Sequence, residues 1–293
     1  MKEKIQYYYN VIPENLIYRE EYIEFIHNGD SYFLMVENGK FQKAMVINQI
    51  MKFNKINIYE FVVNKNFQYI TSLGNKNYVL LRLLVEKTEK EIDLNDLLLF
   101  TNLATNFTST LKWGEKWIQK TDALESNRNE LLSKNKTIEK TLDYYLGVSE
   151  NAIMYLKYYP SNNGKIYQLY LQHERINSKT RKYIMFYNPF FIIFDLRVRD
   201  ISELIKQYIL EGKKYKTILK KIIELLKINY DEIGLIIARI MFPTYYFDFV
   251  ENENSYDSKK IITFSSYYLD TINEFFRFVK SFYDIPTLDY LHP

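Results

Sequence analysis

The residues with most capacity for chemistry stand together at 192–200: Ile192, Ile193, Phe194, Asp195, Leu196, Arg197, Val198, Arg199 and Asp200. An apolar run at 190–194 opens directly into four charged side chains. Asp195, Arg197 and Arg199 alternate with Leu196 and Val198, so an extended backbone puts the three charges on one face. A carboxylate at the mouth of a buried strand suits a metal ion or a polar ligand. Two arginines beside it suit the opposite task, neutralising it within an internal salt-bridge network. Asp200 has a simpler role open to it. It is placed to cap a helix over 201–210, with Glu203 three residues on to complete a capping box.

A second polar group is Gln172-His173-Glu174-Arg175-Ile176-Asn177. The histidines are His27, His173 and His292. No two of them have metal-ligand spacing, so no histidine zinc site is expected. Cysteine is absent, which excludes disulfides, thiolate metal sites and cysteine nucleophiles. Trp113 and Trp117 are four apart and share one helix face, as a packing seam or as a ligand-stacking pair.

The totals describe a folded chain with room for two lobes. It has 293 residues, of which 47% are hydrophobic and 26% charged. The net charge of +3, from 39 basic and 36 acidic residues, leaves no nucleic-acid footprint. Charge is spread along the chain, with no block of five or six like charges. Tyr (28) and Phe (20) are abundant while Gly (8) and Pro (6) are scarce, a pattern that fits an AT-rich genome or an aromatic-rich contact surface. No run approaches 18 uninterrupted apolar residues, so no membrane span is expected. The start, Met1-Lys2-Glu3-Lys4-Ile5, has no apolar core of signal-peptide length, and a cytoplasmic start is the expectation.

These residues must be positioned by the elements around them. Alternation at 21–27 and 31–36, broken by Asn28-Gly29-Asp30, predicts a β-hairpin. Apolar spacing predicts a helix at 41–53. Strands follow at 59–63, 67–71 and 77–85, then a connection at 86–89. Helices are predicted at 93–106, 113–132 and 138–158, and a loop at 160–164. Two short strands at 168–172 and 191–194 are set among them. Helices resume at 201–210, 215–226 and 231–241, an aromatic corner follows at 243–249, a charged loop at 251–259, and a last helix at 262–282. Strands followed by helices argue an α+β fold, with a β-rich lobe at 1–88 and a helical lobe at 89–293.

That order resembles the protein-kinase-like fold in its aminoglycoside/choline phosphotransferase branch. Within the branch it is similar to the bacterial spore-coat-associated group typified by CotS and YutH. The likeness is carried by Trp113-Gly114-Glu115-Lys116-Trp117, Lys120-Thr121-Asp122-Ala123-Leu124-Glu125 and Tyr144-Tyr145-Leu146-Gly147-Val148-Ser149-Glu150-Asn151-Ala152. Residues 195–200 and Pro243-Thr244-Tyr245-Tyr246-Phe247-Asp248 are similar too. The resemblance implies a two-lobed fold, with a small antiparallel N-lobe crossed by one helix and a mainly helical C-lobe.

The resemblance also implies four chemical parts. These are a strand lysine for the nucleotide phosphates, a helix carboxylate orienting it, a His-x-Asp-x-x-x-x-Asn loop, and a later Asp for magnesium. This chain departs from three of them. Met35 is near the lysine's place, and Lys40 and Lys43 beyond it are expected to face solvent. The helix that follows has Gln42, Lys43, Asn48 and Gln49 as its polar positions. In the loop, Arg175 stands where the Asp belongs and Thr180 where the Asn belongs, and arginine accepts no proton. Asp195 alone is retained, and a single Asp beside two arginines is a poor magnesium site. The first hairpin turn holds one glycine, so no phosphate-cradling loop is present.

The expectation is therefore a pseudokinase-like structural or interaction protein without catalytic residues, cofactor or metal. Protein partners, coat or assembly components among them, are implied, with a spore-coat location after cytoplasmic synthesis. The candidate ligand-binding residues are His173, Glu174, Arg175, Asp195, Arg197, Arg199 and Asp200. Two alternatives stay open. One is a small-molecule phosphotransferase with a rearranged site, using Asp195 for metal and Glu174 or Asp200 as base. The other is a module for an anion, a sugar phosphate or another small polar ligand, built on Arg175, Arg197 and Arg199.

Overall fold

The computed structural model describes residues 1–158, 165–177, 180–252 and 257–286. The loop expected at 160–164, part of that at 251–259, and His292 lie outside the described residues. The chain divides into two compact units, 1–96 with 171–195, and 97–170 with 196–293. This division differs from a cut at 88/89 in where residues 89–96 and 171–195 fall.

The first unit begins with α1 (Lys2–Tyr9) and strands β1 (Glu14–Tyr18), β2 (Tyr22–His27) and β3 (Asp30–Val36). Then come α2 (Phe41–Phe53), β4 (Tyr59–Val62), β5 (Ile70–Leu73) and β6 (Lys76–Leu83). The sheet order is β1-β2-β3-β6-β4, with β5 also pairing β6. The pairs are antiparallel. The β2–β3 turn is the predicted hairpin: His27 faces Asp30, and Asn28 (φ 50°) and Gly29 (φ 85°) hold the left-handed pair that a two-residue loop requires.

Alternation along the strands fills both faces of this sheet. Phe25, Tyr32, Leu34, Tyr78 and Leu80 form one core with Ile5, Tyr9 and Val11, the buried stripe of α1 and its exit. Phe33, Met35, Val79 and Leu81 are buried on the alternate positions. Both α1 and β1 are additions to the five strands and one helix expected here. The same unit ends with α7 (Tyr183–Phe186), a 3-10 turn (Pro189–Phe191) and β9 (Ile192–Asp195). Helix α2 packs on that turn and on β9.

The second unit is mainly helical. It takes in most of α3 (Leu94–Asn102), then β7 (Ala104–Thr110), α4 (Trp113–Ser126), α5 (Arg128–Lys134) and α6 (Lys136–Tyr158). Strand β7 corrects the helix expected to run to residue 106. It pairs with the first half of β8 (Ile166–His173), a strand whose last residues belong to the first unit. The remaining helices are α8 (Arg199–Leu210), α9 (Lys216–Leu226), α10 (Tyr230–Met241), α11 (Thr244–Glu251) and α12 (Ser258–Lys280).

Trp113 and Trp117 are both 4% exposed and stack 5.9 Å apart, which resolves them as a packing seam. Residues 230–251 are long and apolar enough to cross a bilayer, yet 89% of that window is buried in the protein's own core. Pro243 also separates α10 from α11 within it.

Candidate functional site

The candidate residues fall in both units. His173, Glu174, Arg175 and Asp195 belong to the first, and Arg197, Arg199 and Asp200 to the second.

In the first unit, β8 delivers His173 into the core. The ring is fully buried and stacks on Phe186 at 3.9 Å. Its Nε2 lies 2.7 Å from the Phe186 carbonyl, an atom that only accepts, so this nitrogen donates. The next residue turns outward. Glu174 N–H donates to Phe191 O at 3.0 Å, and Lys40 Nζ donates to Glu174 Oε2 at 3.1 Å. Lys40 sits at the N-terminus of α2 and also lies 4.0 Å from Glu21. The expectation that it simply faces solvent is thus corrected, because two carboxylates draw its ammonium down.

Burial pushes the Glu174 carboxyl up, but Lys40, Lys43 and Arg175 together outweigh it and hold the group below its ordinary value. The stability this tie contributes is therefore present above the unfolded carboxyl value of about 4.3 and lost as pH falls through the lower folded value. Its size is held to about 1 kcal/mol or less because Glu174 is half exposed. Glu174→Gln should remove this part of the acid sensitivity. Denaturation midpoints of the wild type and variant should differ at neutral pH and converge below about pH 4.

The loop after Glu174 closes on itself. Arg175 Nη1 donates to Glu174 O at 3.0 Å. Thr180 Oγ1 donates to Arg175 O at 2.9 Å and accepts from Asn177 N–H at 2.8 Å. Thr180 N–H in turn donates to Asn177 Oδ1 at 3.1 Å. Arg175 and Thr180 thus present a cation and a hydroxyl that are both bonded within their own loop.

Beside this loop is a crevice lined by Glu21, Met35, Val36, Asn38, Lys40, Phe190 and Phe191, of about 10 Å³. That is room for about one water molecule. Asn188 Nδ2 reaches Met35 Sδ at 3.5 Å, fixing the methionine there. A larger open cleft in the same unit, about 580 Å³, runs along 82–87 and the β2–β3 turn, past Asp30, Ser31 and Arg82. Asp195 ends β9 with its side chain partly exposed. Among the described residues, no three His, Asp or Glu side chains are grouped to hold a metal ion.

In the second unit Arg197 is a structural tie. Arg197 donates through Nε and Nη2 to the two oxygens of Glu232, the latter at 2.7 Å, and through Nη2 to Leu226 O at 3.2 Å. Glu232 also accepts from Asn229 N–H at 3.0 Å, closing the capping box of α10. One guanidinium therefore joins the approach to α8, the end of α9 and the start of α10. Arg197→Ala should cost about 1.5–3 kcal/mol in urea unfolding, as charged hydrogen bonds do. Arg197→Lys should recover little of it, because an ammonium cannot make the two-point contact.

Asp200 is corrected from its expected capping role. Helix α8 begins two residues earlier than expected, at Arg199, with Val198 as N-cap, because the turn has already closed through Arg199 N–H to Leu196 O at 3.0 Å. Asp200 is fully buried inside the first turn, and Arg199 is 7% exposed.

Lys206 and Arg239 were not anticipated, and Glu203 pairs with them instead of completing the capping box expected of it. Glu203 Oε1 lies 2.9 Å from Arg239 Nε and 3.4 Å from Lys206 Nζ, with all three side chains nearly sealed from water. Lys206 also donates to Phe242 O at 2.9 Å and Thr244 Oγ1 at 3.0 Å. Arg239 further lies over the Trp113 ring, 4.6 Å from its centroid. Its sequence signal was a single charge in the apolar run 233–241.

Comparison with known proteins fits this architecture. The aminoglycoside phosphotransferase from Alicyclobacillus acidocaldarius superposes with a TM-score of 0.55 at 12% identity, covering 92% of each chain. Amicoumacin kinase hAmiN, solved with AMP-PNP, Ca²⁺ and Ami, gives 0.56 at 10% identity, over 93% of this chain and 92% of that one. The GDP and kanamycin complex of APH(2″)-IIia gives 0.51 at 13%, over 95% and 97%. At such identities the likeness is one of fold: an α+β, kinase-like chain with a small antiparallel sheet and a helical lobe. No curated protein matches the chain. A family model described as "Spore coat putative kinase YutH" matches residues 2–281.

Proposed function

The chain belongs to the Spore coat putative kinase YutH family, and from that premise we propose that it keeps the kinase fold without phosphotransfer. It acts as a pseudokinase-like structural or interaction protein of the spore coat. The crevice beside Met35 carries this reading. The resemblance puts the phosphate-pairing lysine at that place. Here a thioether stands there, Lys40 is held by Glu174 and Glu21, and the space admits about one water molecule. A triphosphate would have to break that tie and approach two carboxylates. Arg175 supports the same reading, since a guanidinium cannot take the proton of an attacking hydroxyl.

The test is purified protein with ATP and magnesium, read by phosphate release and by thermal unfolding. The expected result is no turnover above the blank and no magnesium-dependent rise in Tm. Turnover that disappears in an Asp195→Ala variant would overturn the proposal and make Asp195 a working metal ligand.

A further inference from the structure

We propose that α9 and its flanks form a docking surface for an acidic protein segment. Residues 211–227 hold six lysines, at 213, 214, 216, 220, 221 and 227, against Glu211 and Glu224. The local net charge of +4 exceeds the +3 of the whole chain, so everything outside this stretch sums to −1. The protein's positive excess is concentrated on one short helix and its two flanks.

The structure keeps that charge available. Lys213 pairs with Glu211 at 2.6 Å and Lys216 with Glu274 at 2.5 Å. Lys214, Lys220, Lys221 and Lys227 are exposed and have no acidic partner among the described residues. The helix itself is firmly seated, because Leu219, Ile222, Ile223 and Leu226 are buried. Tyr215 at its N-cap is buried against Phe275 of α12, with ring centroids 5.8 Å apart. The lysines therefore project from a rigid base.

Charge complementarity makes the partner anionic, and two features make it a carboxylate-rich peptide. A membrane-surface helix needs its apolar face for insertion, and here that face is spent in the core, leaving Leu225 as the large apolar side chain exposed on the helix. Eleven residues of helix span about 16 Å, matching roughly five residues of an extended acidic chain and few turns of any polymer. The inference is independent of whether phosphotransfer is lost, since α9 contributes nothing to the crevice beside Met35.

The test is fluorescence anisotropy with a labelled oligo-glutamate peptide at low ionic strength, using the full chain. The wild type should bind, and binding should fade as salt is raised. A variant with Lys214, Lys220, Lys221 and Lys227 each replaced by Glu should bind about tenfold or more weakly. A control with the same reversals at the exposed Lys2, Lys52, Lys55 and Lys76 should bind as the wild type does. If the quadruple variant fails to fold, Lys220→Gln with Lys221→Gln serves instead, with a smaller loss in the same direction. Absence of peptide binding, equal loss in the control, or tighter binding to phosphatidylserine vesicles or duplex DNA than to the peptide would each overturn the proposal.

Discussion

Glu203→Ala should destabilise the second unit by about 3–5 kcal/mol. The carboxylate is 2% exposed and is the charge partner of both Arg239 and Lys206. Truncating it takes a carboxylate away from two buried cations, of which Lys206 also donates to Phe242 O and Thr244 Oγ1. The cost comes less from the lost attraction than from desolvated charge that keeps fewer compensating groups around it. Glu203→Gln keeps the volume and an acceptor oxygen and should lose less. Replacing all three groups by apolar residues of similar size should lose less still, because desolvation of the charges then disappears with them. The chain's two tryptophans both lie in the second unit, so urea unfolding followed by tryptophan emission isolates the relevant transition. A loss below about 1 kcal/mol for Glu203→Ala would show that the trio is hydrated rather than sealed.

What was legible in the chain depended on how far apart the interacting residues lie. Strands β2 and β3 announced themselves by alternation and by Asn28-Gly29, since hairpin chemistry is local. Helix α2 followed from the spacing of Phe41, Ala44, Ile47 and Met51, all of which are buried. Helix α1 was missed because its stripe is only Ile5 and Tyr9, too short for a period to emerge from Lys2–Tyr9. Strand β7 was missed for a different reason. Its sequence, Ala-Thr-Asn-Phe-Thr-Ser-Thr, buries only Thr105, so it has no alternating face to read.

The site divides along the same line. The types at 175 and 180 were visible in the sequence, and that neither a guanidinium nor a hydroxyl is a carboxylate base follows from those types alone. The pairing of Lys40 with Glu174 joins residues 134 positions apart, and nothing local signals it. Arg197 was read as a neighbour of Asp195, while its guanidinium is committed to Glu232, 35 positions away. The i, i+3 spacing of Glu203 and Lys206 could be read, but a helical pair of that kind is usually solvated. What singles this pair out is burial, and burial belongs to the tertiary structure.

Phe242→Ala carries the second large expectation, a loss of about 3–5 kcal/mol. Phe242 is 1% exposed and lies between two rings, 4.4 Å from Trp117 and 5.0 Å from Phe247, both nearly parallel to it. Trp113 extends the stack beyond Trp117, and Arg239 covers Trp113. The column ties α4 to the α10–α11 junction, whose Phe242 carbonyl also receives Lys206. Removing the ring opens a cavity that close-packed aromatic neighbours cannot refill without leaving their stacking geometry. Tm should fall by roughly 10 °C, taking about 2–4 °C per kcal/mol for a unit of this size. Tryptophan emission should shift to the red in the folded state, because Trp117 loses its cover. Phe242→Leu, which restores most of the volume but no ring face, should recover more than half of the stability. If it instead recovers none, the stacking geometry rather than the filled volume holds this junction.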